Sequence, residues 1–145
     1  KGKIKSFNQL LYDKYDLPAR VIMKEKLGDL VKDNPDQFDE DMILIHKKYK
    51  YIELQVCATW IEKDKYPYPE PFVYERKGHF DKDTLYIIFD RQFANGLLFD
   101  KESLNKQPVR IKKYSRFYVY TVNWKNVLRF NTDDFNIDLI DLYSL

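Results

Sequence analysis

The sequence has little cysteine, histidine, glycine or serine, and each shortage excludes a class of chemistry. The single cysteine, Cys57, cannot form an intramolecular disulfide or a paired-cysteine metal site. The two histidines are too few for a histidine-rich zinc site, and we interpret His46 as a strand end and His79 as a turn residue. The four scattered glycines form no phosphate-binding loop, and none of the four serines lies in a nucleophile elbow. Nucleotide-driven enzymes and serine hydrolases are therefore not expected.

Long apolar runs are missing as well. No stretch of 18 apolar residues is present, so no transmembrane helix is predicted. A chain with one cysteine suits a reducing compartment. We therefore expect no membrane partner and an intracellular location, in the cytoplasm or the nucleus.

Large aromatic and charged residues are abundant instead. Of the 145 residues, 44% are hydrophobic, 33% are charged and 17% are aromatic, a composition typical of a folded chain with one domain over residues 1–145. The formal net charge of +2 is unevenly distributed, because residues 33–41 carry five acids and no base. Basic residues exceed acidic ones in residues 1–32 and 101–120. A metal-dependent site that handles phosphate would need such a distribution.

The order of predicted elements indicates an α+β domain. A capping box at residues 6–9 predicts a helix near residues 6–15 that ends before Pro18, and Pro18 then begins a second helix over residues 18–32. A mixed, mostly antiparallel sheet follows these two N-terminal helices. Its candidate strands lie in residues 42–46, 51–60, 72–77, 84–90, 96–100, 108–122 and 126–130, with an amphipathic tail of either type at residues 136–145.

The first predicted hairpin carries the chemistry. Asp41 precedes one strand, and Glu53 and Gln55 share one face of the next strand. With a three-residue turn, Asp41 faces Gln55 and lies diagonal to Glu53, roughly 7–8 Å away between Cα atoms. A turn with an even number of residues places Asp41 and Glu53 on opposite faces. Oxygen ligands in this pattern are those that a nuclease uses to hold Mg²⁺.

This segment resembles the PD-(D/E)xK nuclease superfamily over residues 19–60. The resemblance implies a restriction-endonuclease-like core with Glu25 on the second helix and Asp41 and Glu53 in the hairpin. Gln55 stands where the family usually has lysine, as in a minority Glu-x-Gln variant. Lys77 is the first candidate to replace that lysine, followed by Lys63 and Lys65. Asp36 and Asp39 are further candidates for metal ligands.

The resemblance implies hydrolysis of phosphodiester bonds in DNA or RNA with Mg²⁺ or Mn²⁺ as cofactor. Asp41, Glu53 and Glu25 would hold the metal, Gln55 would position water and Lys77 would stabilise charge. A different interpretation is a catalytically inactive nuclease-like module that binds nucleic acid, or a structural or assembly component.

A second basic segment, residues 110–125, interleaves aromatic and basic residues. Arg110, Lys112, Lys113 and Arg116 are candidates for contacts to phosphates. An ordinary solvated strand face is the competing interpretation. A homo-oligomer and a location in a virion are further alternatives. The 19 lysines against 6 arginines are typical of an AT-rich genome, such as those of many large DNA viruses.

Overall fold

A computed structural model describes residues 9–36, 38–111 and 117–145. Within these residues the chain is an α+β protein with three α-helices and nine strands. The helices are α1 (Gln9–Leu11), α2 (Leu17–Leu27) and α3 (Ile137–Tyr143). The strands are β1 (Val31–Asp33), β2 (Met42–Leu44), β3 (Tyr51–Val56), β4 (Phe72–Tyr74), β5 (Thr84–Phe89), β6 (Asn95–Asp100), β7 (Val109–Arg110), β8 (Tyr118–Thr121) and β9 (Leu128–Asn131).

The N-terminal helix is continuous, and the prediction of two helices divided at Pro18 is wrong. A π-helical turn, Tyr12–Asp16, joins α1 directly to α2. In this turn the Leu17 N–H bonds to the Tyr12 carbonyl, five residues back, and Pro18 follows within the first turn of α2. A π-helical turn changes the local hydrogen-bond pattern, so that the missing N–H of proline is tolerated without a break in the helix.

The end of this helix also differs from the prediction. Helix α2 ends at Leu27, and Gly28 follows with a positive φ of 56° that favours glycine. Residues 31–33, which the apolar pattern predicts as helical in part, form strand β1 instead. The chain turns into the sheet about one helical turn earlier than that pattern indicates.

The mixed sheet is confirmed and has six strands in the order β1-β2-β3-β5-β6-β9. All neighbouring strands are antiparallel except β3 and β5, which are parallel. Residues 57–83, here called the crossover segment, connect this parallel pair. The crossover segment contains β4, which joins β8 and β7 in a second, three-stranded sheet.

The six-stranded sheet buries both of its faces. The helices cover one face, where Met23 of α2 and Ile140 of α3 belong to the same apolar cluster as Ile87. The other face packs Tyr86 and Ile88 against a second cluster that includes β4. Because alternate residues of β5 enter opposite clusters, the whole strand is buried and only its first residue, Thr84, is polar.

The tail forms helix α3, and its N-cap Asn136 side chain accepts a hydrogen bond from the Asp138 N–H. None of the helices in the described ranges has the length and apolar content of a membrane span.

Candidate functional site

The carboxylates of Asp41 and Glu53 lie next to each other on the hairpin β2–β3. Met42 pairs with Ile52, and the same register carried one residue further places Asp41 opposite Glu53. The Asp41 N–H donates to Glu53 Oε1 at 3.1 Å, and Asp41 Oδ2 accepts the Leu54 N–H at 2.8 Å. These bonds fix both carboxylates against the backbone of the neighbouring strand.

The register differs by two residues from the one that a three-residue turn predicts. Leu44 N–H bonds to the Lys50 carbonyl, so residues 45–49 form the loop. This loop also has an odd number of residues, and Asp41 and Glu53 therefore still share a face. They form a direct pair, whereas the shorter turn would have made them a diagonal pair.

Lys77 reaches this pair from the crossover segment, where it lies in a short 3-10 helix. The Tyr86 hydroxyl donates to the Lys77 carbonyl at 2.6 Å. A Cβ at Gly78 would approach the Tyr120 ring to 2.3 Å, so this position needs glycine. Both constraints hold the 3-10 helix against the sheet, and the Lys77 ammonium forms an ion pair with Glu53 Oε2.

The helix contributes Arg20 and Asp16 to this group, and not Glu25. Arg20 Nη2 lies 2.9 Å from Asp41 Oδ1, and its Nη1 donates to the Asp41 carbonyl at 2.9 Å. Asp16 is one turn before Arg20 and interacts electrostatically with Asp41. Glu25 is exposed on α2, about 140° around the helix axis from Arg20. We call Asp16, Arg20, Asp41, Glu53 and Lys77 the ion cluster.

Burial determines the electrostatics of the ion cluster. The Glu53 side chain is 0% exposed, against 24% for Asp41 and 27% for Lys77. Burial and, next, the Asp41 carboxylate raise the pKa of Glu53 above its ordinary value, and Lys77 opposes this shift. Burial and then Asp41 also raise the pKa of Asp16. Glu53 and Asp16 therefore hold a proton more readily than free carboxyl groups do.

Gln55 lies on the same face of β3 but does not join the ion cluster. Gln55 is one of the residues around a neighbouring cavity, and among the described residues its Nε2 is buried without a hydrogen-bond partner.

The remaining candidates, Asp36, Asp39, Lys63 and Lys65, lie apart from the carboxylate pair. Asp36 is exposed, and its carboxylate accepts the Phe38 N–H. Asp39 is exposed beside Glu40 and raises the pKa of that buried carboxyl, after burial itself. Lys63 lines a different cavity, and Lys65 pairs with Glu62 at 3.2 Å.

The second basic segment is only partly described. Arg110 is exposed on β7, with its guanidinium 4.8 Å from the centre of the Tyr118 ring. Lys112, Lys113 and Arg116 lie outside the described residues. Phe117 and Tyr118 are exposed, so this part of the second sheet presents a cation beside the Tyr118 ring.

A divalent cation suits the chemistry of the ion cluster. Asp41 and Glu53 offer hard oxygen ligands, and Mg²⁺ is commonly bound by one or two carboxylates together with water and phosphate. The ammonium of Lys77 already holds a positive charge against Glu53. Within residues 9–36, 38–111 and 117–145, however, no group of three or more His, Cys, Asp or Glu side chains is placed to hold a metal.

The sequence matches no protein-family model, and no curated protein matches it. The class of the protein is therefore given by its fold alone, an α+β domain with a mixed sheet.

The stability of the fold should depend on the ionisation of Glu53. The pKa of Glu53 in the folded state lies above its ordinary value of about 4.3. Between the ordinary pKa and the folded pKa, the folded state therefore binds more protons than the unfolded state. This contribution to stability is present at low pH and is lost as the pH rises through that window, by at most about 1.4 kcal/mol per pH unit. Glu53→Gln cannot ionise and should lack this dependence.

Urea unfolding of wild type and Glu53→Gln at a series of pH values from about 4 upward tests this expectation. The free energy of unfolding of wild type minus that of the variant should decrease as the pH rises. A difference that stays constant or increases would contradict a raised pKa at Glu53.

Proposed function

We propose that this chain is a nuclease-like domain that hydrolyses phosphodiester bonds in DNA or RNA with Mg²⁺ or Mn²⁺. The observation that carries the proposal is the ion pair of Lys77 with Glu53, directly beside Asp41. Lys77 supplies, from another part of the chain, the positive charge that Gln55 does not provide. A helix with an acidic residue, followed by a hairpin with two carboxylates, supports a restriction-endonuclease-like core.

The residues of the ion cluster have distinct roles in this proposal. A divalent cation, when bound, would polarise the phosphate and lower the pKa of a water. Asp41 and Glu53 would hold that cation, and Arg20 orients Asp41 through two hydrogen bonds. The Lys77 ammonium would leave Glu53 and contact the phosphoryl oxygens, whose negative charge it would stabilise. Arg110 and the basic residues after it would bind the strand further away by phosphate contacts.

Cleavage assays with single-stranded DNA, duplex DNA and RNA test the proposal. We expect cleavage with Mn²⁺ or Mg²⁺ that stops with EDTA and falls by about 10²-fold or more in Asp41→Asn and in Glu53→Gln, since the metal supplies several kcal/mol. Asp36→Asn is the matched control, because Asp36 is exposed in the same acidic segment. A wild-type protein that neither binds Mn²⁺ nor cuts any of these substrates would overturn the proposal.

A second candidate function is a non-catalytic module that binds nucleic acid. All four carboxylate oxygens of Asp41 and Glu53 already accept a bond from Arg20, Leu54, Asp41 or Lys77, so the ion cluster is satisfied without a metal. Binding that weakens steeply with salt, in the absence of cleavage, would favour this candidate. An oligomer that is insensitive to salt and has no affinity for nucleic acid would instead favour an assembly component.

A further inference from the structure

A cavity of about 350 Å³ lies between the 3-10 helix that carries Lys77 and residues 101–106, which follow β6. Its volume is within the ~300–1,000 Å³ of ligand sites. We call it the basic cavity, because three lysines border it against one acid, Glu102. The cavity beside Lys63 has two cations and one acid, and the cavity around Gln55 has no charged residue. The three lysines of the basic cavity are Lys82, Lys101 and Lys106.

The charges of these three lysines are not compensated by neighbouring acids. Within the described ranges, none of the three forms an ion pair. Asp83, next to Lys82 in the sequence, lies 4.0 Å from Lys50, and Asp81 interacts electrostatically with Tyr51. Uncompensated like charges raise the local positive potential, and such a potential attracts anions. The basic cavity therefore suits an anionic ligand.

The walls of the basic cavity favour a phosphate over an aromatic ring. The Tyr120 ring borders the cavity, but it already contacts the protein. A Cβ at Gly78 would lie 2.3 Å from this ring, and the His79 ring meets it edge-on, with ring centres 5.9 Å apart at 89°. Ammonium groups bind phosphates as point charges, and such contacts do not read bases. Charge, and not stacking, is therefore the basis of recognition in this cavity.

The basic cavity adjoins both the ion cluster and Arg110. Its wall includes His79, which follows Lys77 by two residues in the same 3-10 helix. Its wall also includes Tyr120, which lies on the same face of β8 as Tyr118, about 7 Å away. Tyr118 in turn pairs with Arg110. One nucleic-acid strand can therefore contact Lys77, the lysines of the basic cavity and Arg110 in turn.

We propose that the basic cavity binds the phosphate backbone of a nucleic-acid strand, next to the phosphate at Lys77. The proposal rests on the proposed function for the phosphate at Lys77. It adds that the substrate is held by charge along a path from Lys77 to Arg110, without recognition of its bases. The test distinguishes this ligand from an acidic peptide, which is an anion of another class.

The test measures binding of the full chain to a single-stranded DNA of about ten nucleotides, within the ~4–16 nucleotides of single-strand sites. Fluorescence anisotropy in EDTA gives the affinity from about 50 to 200 mM salt, so that cleavage plays no part. An abasic strand with the same number of phosphates and a polyglutamate peptide are the comparison ligands. The test variant carries three changes, Lys82→Gln, Lys101→Gln and Lys106→Gln.

The control variant removes three exposed lysines elsewhere, with the changes Lys47→Gln, Lys63→Gln and Lys125→Gln. It has the same net charge as the test variant, so total charge cannot explain a difference between them. Arginine in place of the three lysines of the basic cavity keeps the charge and should bind as wild type does. Urea unfolding should show the test variant to be at least as stable as wild type, because like charges are removed.

We expect the test variant to bind DNA roughly 10–100-fold more weakly than wild type at about 100 mM salt. The slope of log affinity against log salt should become shallower by about 2, since each phosphate contact to a single strand contributes ~0.7. The abasic strand should show the same loss, and the control variant should keep an affinity close to that of wild type.

Equal DNA affinities of the test and control variants, or a loss confined to the strand that has bases, would overturn the phosphate site. Polyglutamate binding as tight as DNA binding, and lost in the test variant, would overturn it as well. DNA binding that depends on the three lysines in a protein that never cleaves would retain the phosphate site and reject only the nuclease function.

Discussion

Lys77→Met should raise the affinity for Mn²⁺ and lower the rate of nucleic-acid cleavage at the same time. The ammonium of Lys77 competes with a metal for Glu53 Oε2, so at a pH where Glu53 is ionised in both proteins its removal should strengthen Mn²⁺ binding by about tenfold, or ~1.4 kcal/mol. The same ammonium is the group that we expect to neutralise charge in the transition state. Its loss should therefore slow single-turnover cleavage by about 10²–10³-fold, as for other preorganised charge stabilisers.

Opposite changes in metal binding and in catalysis distinguish a catalytic lysine from a structural ion pair. Mn²⁺ binding is measured by calorimetry or by the paramagnetic relaxation of water, and cleavage is measured with metal in excess. Lys63→Met is the control, since Lys63 is exposed and lines another cavity, and it should change neither quantity. Lys77→Arg keeps the charge, and urea unfolding of Lys77→Met checks that this variant still folds. Weaker Mn²⁺ binding in Lys77→Met, or unchanged cleavage, would be inconsistent with the assigned role.

The strands of the central sheet are predictable from the sequence because their burial follows simple rules. β5 is buried on both faces and is a continuous apolar run after Thr84. β3 alternates the apolar residues Ile52, Leu54 and Val56 with Tyr51, Glu53 and Gln55. The division into two sheets is less visible in the sequence. β4 pairs with β8, about 45 residues later in the chain, and local patterns do not specify such distant pairing.

The N-terminal helix shows where local rules fail. A proline usually marks a helix boundary, but the π-helical turn before Pro18 lets the helix continue through it. Dividing the helix there conceals the spacing of Asp16 and Arg20, which lie four residues apart on one face. In the structure it is this face, and not Glu25, that meets the hairpin.

The cluster around Glu53 is only partly encoded by spacing. Asp41 and Glu53 share a face because the loop between β2 and β3 has an odd number of residues. The sequence alone does not determine the length of that loop. Lys77 is predictable by chemistry, because a buried carboxylate pair needs a cation and Gln55 carries none. The position of Lys77 beside Glu53 depends on the close packing of Gly78 against Tyr120. That tertiary contact has no signal in the local sequence.

Arg20→Met should destabilise the fold more than removal of any other single charge on the N-terminal helix. Arg20 contacts the Asp41 side chain, the Asp41 carbonyl and Asp33 Oδ1 at 2.9–3.0 Å, and so joins α2 to the ends of β1 and β2. Without it, the half-buried Asp41 carboxylate loses its partner and is left with the repulsion of the exposed Asp16 carboxylate. We expect a loss of about 2–4 kcal/mol, somewhat below the 3–5 kcal/mol of fully buried pairs because the group is partly exposed.

The origin of this loss can be isolated with a double-mutant cycle. Asp41→Asn removes the charge that Arg20 compensates, so the double variant should be destabilised by roughly 0.5–3 kcal/mol less than the sum of the single variants. Lys24→Met is the matched control. Its ammonium pairs with the half-exposed Asp33 at 2.8 Å, and its removal should cost only ~0–1 kcal/mol. Urea unfolding measures all four variants. Additive effects of Arg20→Met and Asp41→Asn would show that Arg20 acts by packing alone, in which case the hairpin carboxylates would depend on the backbone and Lys77 for their position.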